Sequence, residues 1–410
     1  MNMRLGITVL IIFMLFVSCK EKNKKHNLNE GVWRIELDVM DHQVLPFKLR
    51  VNKEKNGLYT MQIINAEEVI EVDEIVINGD SIVIQTPVFE GYLAGTFTDK
   101  EIKGQFIKES LERIVPFKAI FGIEDRFDSE NKNTDKDVSG IWETYFSPDS
   151  DEEYIGKGIF IQEDNRVTGT FRTTTGDYRY LEGLMDGDSL KLSAFDGAHA
   201  FLFTAKVTDS SMTGIFYSGN HFKEPFVSTR NDGYELPDPD SLTFINEGYD
   251  KLAFTFPDFN GNMISLNDEE YYEKVVIVQL MGTWCPNCLD ESKFLVNYLN
   301  KNENLKVIGL AFESAKTEEK AFKGIERLKD RIGLSYPILL AQFGSVDKVE
   351  AQQKLPMLNH VLSFPTTIFI DKKGTVRKIH TGFNGPATGD KFIEFRKDFN
   401  QIVTELLNEK

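Results

Sequence analysis

Cys285 and Cys288 stand three residues apart, a spacing at which two sulfurs can meet as a disulfide. Once reduced, one of them can attack a foreign disulfide while the other waits to release the product from within. That division of labour needs a thiolate, because the thiolate and not the thiol is the nucleophile. The flanking residues supply the setting. Val275 to Leu280 is a predominantly apolar, β-branched run suited to a buried strand, and it leads into Met281-Gly282-Thr283-Trp284-Cys285-Pro286-Asn287-Cys288. Phe294, Leu295, Tyr298 and Leu299 then recur at helical spacing, so Cys285 lies where a strand hands over to a helix. There, unpaired backbone N–H groups and the positive end of the helix dipole favour thiolate over thiol and lower the pKa. Pro286 suits the first turn, since its φ is already helical and it has no N–H to lose. Cys285 is the expected nucleophile and Cys288 the resolving thiol.

The motif and the order of elements around it resemble the thioredoxin superfamily, specifically the TlpA/ResA-type thiol-disulfide oxidoreductases of bacterial envelopes. Phe256-Pro257-Asp258, Asn260-Gly261 and Ile264-Ser265-Leu266 look like the entry hairpin of that family. Leu305 to Phe312 reads as the next buried strand, ending at Glu313, and Ser363-Phe364-Pro365-Thr366-Thr367 matches the loop that faces the disulfide. Lys373-Gly374, Val376 to Thr381 and Lys391 to Leu407 follow as turn, last strand and closing helix. The resemblance implies the order β-α-β-α-β-β-α, with an insertion holding an extra strand at Tyr336 to Leu340 and a helix at Val346 to Leu358. It also implies site roles. Glu313 would exchange a proton with Cys288, and Phe364, before a cis Pro365, would offer its N–H and C=O to an incoming peptide. Trp284 and Pro286 would complete the substrate-binding rim, with His380 a strand residue beside it. The implied partners are protein thiols and disulfides, and no cofactor is needed beyond the redox-active disulfide itself.

Other chemistries fit less well. Zinc needs about four ligands, and a single Cys-x-x-Cys leaves only scattered histidines such as His360 and His380, so no metal is expected. A purely structural disulfide closing so short a loop gains little from chain entropy. A thiol peroxidase would use Cys285 to attack peroxide, and it stands as an alternative, although Trp284 and the adjacent Cys288 favour disulfide exchange.

Beyond this segment the chain is long: 410 residues, enough for two or three domains. A net charge of −17 argues against nucleic acid, which would call for a basic face. Met1 to Arg4 followed by the apolar run Leu5 to Val17 fits a secretory signal, and Leu15-Phe16-Val17-Ser18-Cys19 resembles the lipobox of bacterial lipoproteins. On that reading residues 1–18 are a signal peptide, Cys19 is lipidated, and 19–30 form a flexible tether. The protein would face the periplasm from a lipid anchor in the cell envelope, and a membrane-embedded electron donor would recharge it in that oxidising compartment.

Residues 31–231 carry short alternating runs of Val, Ile, Phe and Tyr punctuated by Asn56-Gly57, Asn78-Gly79, Asp186-Gly187 and Asp196-Gly197, dipeptides favoured in type I′ hairpins. Gly31-Val32-Trp33 pairs with Gly140-Ile141-Trp142, Gly79-Asp80-Ser81 with Gly187-Asp188-Ser189, and Pro116-Phe117 with Pro225-Phe226, each at a separation of 108 or 109 residues. An internal duplication follows, giving β-rich units at 31–123 and 138–231 of six to eight strands each, either two barrels or one sandwich. A charged linker (124–137) would separate them, and a second linker (232–250) would lead into a thioredoxin-like domain at 251–410. The fold class is thus multidomain, a C-terminal α/β thioredoxin-like fold preceded by a duplicated all-β region. The Gly-x-Trp that opens each half is similar to the start of lipocalins, but each tryptophan reads as a core residue. His199 and His221 look isolated, and Asp149 to Glu153 reads as a solvated loop. These units would position the redox domain or bind a partner; on the alternative reading the chain is a ligand-binding or redox-sensing lipoprotein.

Overall fold

The structure, a computed structural model, describes residues 26–130, 134–299 and 304–409. The signal peptide and Cys19 lie outside the described residues. Of the expected tether, residues 26–30 are described and they are docked: Leu28 is buried in the core of the first β unit, and Asn29 bonds the Asp99 carbonyl. No helix among the described residues is long and apolar enough to cross a membrane.

Each β half forms an antiparallel sheet of nine strands among the described residues, more than the six to eight expected. In the first, the terminal strands Glu68–Val72 and Ile75–Asn78 are not joined by a ladder, so the sheet stays open. In the second, Tyr154–Glu163 also pairs with Arg166–Thr173 and closes a ring of eight strands, leaving the two-residue strand Gly176–Asp177 outside it. The duplication extends to side-chain detail. Trp33 Nε1 donates to the carbonyl four residues back at 3.0 Å, and Trp142 Nε1 does the same at 2.9 Å, both indoles being fully buried. Two of the expected type I′ turns are different. Asn78 pairs with Ser81 and Asp186 with Ser189, so the loop residues are Gly-Asp, and φ is positive at Gly79 (61°) and Gly187 (63°) but not at the aspartates. Glycine at the first loop position is the II′ pattern, whereas I′ needs positive φ at both.

Neither linker is a loose tether. Arg126, expected in a solvated charged stretch, is buried between the two units, where it donates to the carbonyls of Pro46, Ile64 and Ser193 and pairs with Glu182. Phe195 of the second unit stacks on Phe47 of the first at 4.2 Å, so the units share one apolar seam rather than forming one sandwich.

In the C-terminal region a two-strand hairpin, Thr255–Pro257 with Met263–Ser265, precedes a five-stranded sheet. Its strands are β1 (Val275–Met281), β2 (Leu305–Glu313), β3 (Ile338–Phe343), β4 (Thr366–Ile370) and β5 (Val376–Thr381), in the order β3-β2-β1-β4-β5. The β1–β2 and β2–β3 pairs are parallel; β4 and β5 run antiparallel. Every residue of β1 is buried, as expected of a central strand covered on both faces. The helices are α1 (Pro286–Leu299), α2 (Glu318–Ile332), α3 (Lys348–Lys354) and α4 (Asp390–Asn408). Strand β3 begins two residues later than expected, and α3 is shorter at both ends. Helix α2 is bounded by Thr317, whose hydroxyl accepts from the Lys320 N–H, and by Gly333 at φ 63°.

Candidate active site

Strand β1 ends at Met281 and α1 starts at Pro286, so four residues carry the chain around the corner. The turn closes with the Cys285 N–H donating to Gly282 O at 3.1 Å, and the first helical bond runs from the Leu289 N–H to Cys285 O at 3.0 Å. Cys285 and Cys288 form a disulfide with their Cα atoms 5.2 Å apart. The Cys288 N–H points at Cys285 Sγ from 3.1 Å, which places an oriented donor where negative charge would collect after reduction. Cys285 retains 6% exposure and Cys288 none, so an incoming sulfur meets Cys285 first.

The rim follows from the same corner. Gly282 lies under the Trp284 indole, and a Cβ there would come within 2.3 Å of its Nε1. That nitrogen donates instead to Phe312 O at the end of β2, 2.9 Å away. The indole meets the Phe364 ring edge-on at 6.0 Å, and Phe364 packs on Phe312 at 5.1 Å. The Phe364–Pro365 bond is cis, and Phe364 O lies 3.4 Å from Cys285 Sγ. Cys285, Cys288, Trp284, Pro286, Phe364 and Pro365 thus share one site. His380 stands apart on β5, its Nδ1 2.7 Å from Asp240 of the second linker.

Two buried acids flank the motif. Glu313 spends both carboxylate oxygens on Thr283, accepting from its N–H at 2.8 Å and its hydroxyl at 2.6 Å. Burial pushes this carboxyl up to about 7, against the pull of those bonds. Glu291 was not anticipated. It stands three residues after Cys288 on α1, fully buried, and accepts from Thr367 Oγ1 and from Gln279 Nε2, which also reaches Cys288 O at 3.3 Å. Burial raises it too to about 7, opposed by the Thr367 and Gln279 bonds. The available signal was a carboxylate at helical spacing behind the second cysteine, on the face that the buried Leu295 and Val296 mark as core.

The second β unit also reaches the site, which no local pattern announced. Its loop after strand Arg166–Thr173 lies across the disulfide's border: Ser363 Oγ donates to Thr175 O at 2.8 Å, and Asn287 Nδ2 donates to Asp177 O at 3.1 Å. Gly385 N–H donates to Asp177 Oδ2 at 2.7 Å. Behind that loop Arg179 contacts Asp290 of α1, Glu68 of the first unit and Asp196 of its own. Burial works against its charge, and the three carboxylates outweigh that penalty.

A buried Cys-x-x-Cys disulfide, of which only Cys285 keeps slight exposure, at the corner of a central strand and a helix and facing a cis-proline loop, defines a thioredoxin-like thiol-disulfide oxidoreductase. Comparison with known proteins agrees. Residues 249–379 match the model of the AhpC/TSA family. The thioredoxin-like protein YneN of Bacillus subtilis is 31% identical over 142 residues, 34% of this chain and 73% of that protein. The thiol-disulfide oxidoreductase ResA of Halalkalibacterium halodurans is 27% identical over 150 residues, covering 37% of this chain and 77% of the relative. A solved thiol-disulfide oxidoreductase from Bacteroides fragilis aligns over 36% of this chain and 99% of its own length, with 19% identity and a TM-score of 0.27. The chain belongs to the ResA/TlpA-type thioredoxin-like proteins, and it is a protein-disulfide oxidoreductase.

Proposed function

We propose that this protein reduces disulfides of other proteins in the cell envelope through its Trp-Cys-Pro-Asn-Cys motif. The observation that carries the proposal is the asymmetry of the two sulfurs: Cys285 keeps slight exposure with a backbone N–H aimed at it, and Cys288 is wholly covered. In the reduced enzyme the Cys285 thiolate attacks one sulfur of the substrate disulfide, and the other sulfur leaves as a thiolate. Cys288 then loses its proton and attacks Cys285 Sγ, which releases the second substrate thiolate and restores the Cys285–Cys288 disulfide. Glu291, buried one helical turn beyond Cys288, takes that proton in this reading, and Glu313 holds the Thr283–Trp284 corner through its two bonds. The substrate backbone lies against Phe364 and Pro365, with Trp284 and Pro286 at its sides.

The cycle consumes two electrons, so a membrane-embedded donor returns them, and lipidated Cys19 holds the chain at that membrane. The β units at 31–123 and 138–231 belong to the same working part as the domain at 251–410, because the 173–178 loop borders the disulfide. Reduction of insulin disulfides by the protein tests the proposal. Wild type should accelerate it and Cys285→Ser should not; equal rates for the two would reject it. Peroxide consumption without insulin reduction would instead favour the thiol peroxidase alternative.

A further inference from the structure

A cavity of about 960 Å³ opens between the two β units and the redox domain, which contributes Trp284, Ser314 and Val346 to its lining. Its walls differ in character. One is aromatic, built from Phe201, Phe216 and Phe222 together with Tyr154 and Tyr178. The other is basic: Lys108 and Arg113 from the first unit stand beside His221 from the second, an imidazole that burial and those two cations hold neutral, its pKa lowered to about 4. Among the described residues none of these three has a carboxylate within 4 Å, and Lys108 Nζ donates only to Ala198 O at 3.0 Å. Of the acids nearby, Glu152 also lines the cavity but is exposed, and the others are engaged. Asp196 is held by Arg179 and His199, Glu90 by Ser110, and Glu224 accepts from Tyr154 and Ser147, each at 2.6 Å. Two close cations left without an ion-pair partner in a chain of net charge −17 are a costly arrangement unless something anionic completes them. Their crowding shows in Lys108, whose ammonium burial and the neighbouring Arg113 hold below its ordinary value.

We propose that this cavity receives an acidic segment of the substrate protein, a carboxylate meeting Lys108 and Arg113 beside the neutral imidazole of His221 while an aromatic or apolar neighbour fills the ring-lined wall. The inference rests on the oxidoreductase reading above and adds the substrate class. Continuity with Trp284, next in the chain to Cys285, makes the occupant a stretch of the polypeptide being reduced: bound there, it carries its disulfide to the nucleophile. The β units then select substrates, whereas the redox domain supplies chemistry common to its family.

Two short peptides test this, each carrying one cysteine as a mixed disulfide with a chromogenic thiol. One has Glu and Phe beside the cysteine; the other has Gln and Phe. With the reduced full chain, kcat/KM for the acidic peptide should exceed that for the amide peptide by about tenfold, the worth of one charge-assisted contact. The double variant Lys108→Gln, Arg113→Gln should erase the preference, so that kcat/KM for the acidic peptide falls to the value for the amide peptide measured with the same variant. No preference in wild type, or a preference that survives in the variant, would overturn the proposal. A fluorescent acidic peptide without cysteine gives a readout independent of the variant's folding. Its affinity for the wild-type protein should fall as salt is raised, and salt-independent binding would also overturn the proposal. If neither disulfide peptide reacts faster with wild type than with Cys285→Ser, the oxidoreductase reading itself has failed, an outcome distinct from reaction without charge preference.

Discussion

At the level of single residues the site separates two tasks that a cysteine pair alone would blur. Cys285 is presented and Cys288 is stored, and the stored thiol can resolve a mixed disulfide only if its proton has somewhere to go. Glu291 is the acid on its own helix, one turn on and cut off from water. Glu291→Gln should slow the resolving step roughly tenfold to a hundredfold while leaving attack by Cys285 intact. Single-turnover kinetics with a chromogenic disulfide would show this as accumulation of the mixed disulfide, and an unchanged resolving rate would assign the proton elsewhere. Glu313→Gln serves as the contrast, because its carboxyl bonds Thr283 on the strand side of the corner, whereas Glu291 shares α1 and the Gln279 amide with Cys288. The two acids also predict a pH dependence of stability. Each has its folded pKa raised from 4.5 to about 7, so the native state holds protons that the unfolded chain releases. Their stabilising contribution is complete below about pH 4.5 and is lost as pH rises to about 7, by an order of 3 kcal/mol per group. Chemical denaturation of the oxidised protein across this window should show the decline, and the Glu291→Gln variant should show about half of it.

Among the elements, β1 and the start of α1 were the most legible part of the chain. A run so rich in β-branched apolar residues has few options besides a buried strand, and a proline followed by helical spacing marks where the helix begins. The cis bond before Pro365 was legible as well, through the resemblance of its loop. Glu291 was missed because attention to the family's strand-end acid drew the reading to Glu313, although the spacing from Cys288 was visible. The 173–178 loop could not be read at all: its partners Asn287, Ser363 and Gly385 lie more than a hundred residues away, and short Thr-Gly-Asp stretches are ordinary turn material. Gly282 tests the corner most simply. Alanine there would drive a Cβ into the indole and against Phe312 O, so Gly282→Ala should cost about 1–3 kcal/mol in thermal or denaturant unfolding. It should also lower the rate of attack on substrate disulfides by displacing Trp284, and wild-type rate and stability would refute this account of the turn.

Over the whole molecule, the duplication was visible in landmark triplets, yet how the halves close was not, since alternation shows which face is buried and not which strand pairs with which. One half closes into a ring and the other stays open, and both dock on the redox domain through ion pairs. Arg327 and Arg331 of α2 grip Asp73 and Glu74 of the first unit, while Arg179 joins all three parts. Removing one member of a buried ion cluster strands the rest, so Arg179→Met should destabilise the protein by about 3–5 kcal/mol and loosen the 173–178 loop, seen as faster proteolysis there. Unchanged unfolding and cleavage would mean that the units are held together by their apolar seam alone.

The account turns on one sulfur being presented for attack and the other withheld. Reduced protein carrying Cys288→Ser, alkylated at a series of pH values with the label mapped by peptide mass, tests this directly. The prediction is rapid labelling of Cys285 even where an ordinary thiol, with a pKa of about 8.5, is almost wholly protonated. Labelling of Cys285 no faster than that of an unstructured peptide thiol over the same pH range would contradict it.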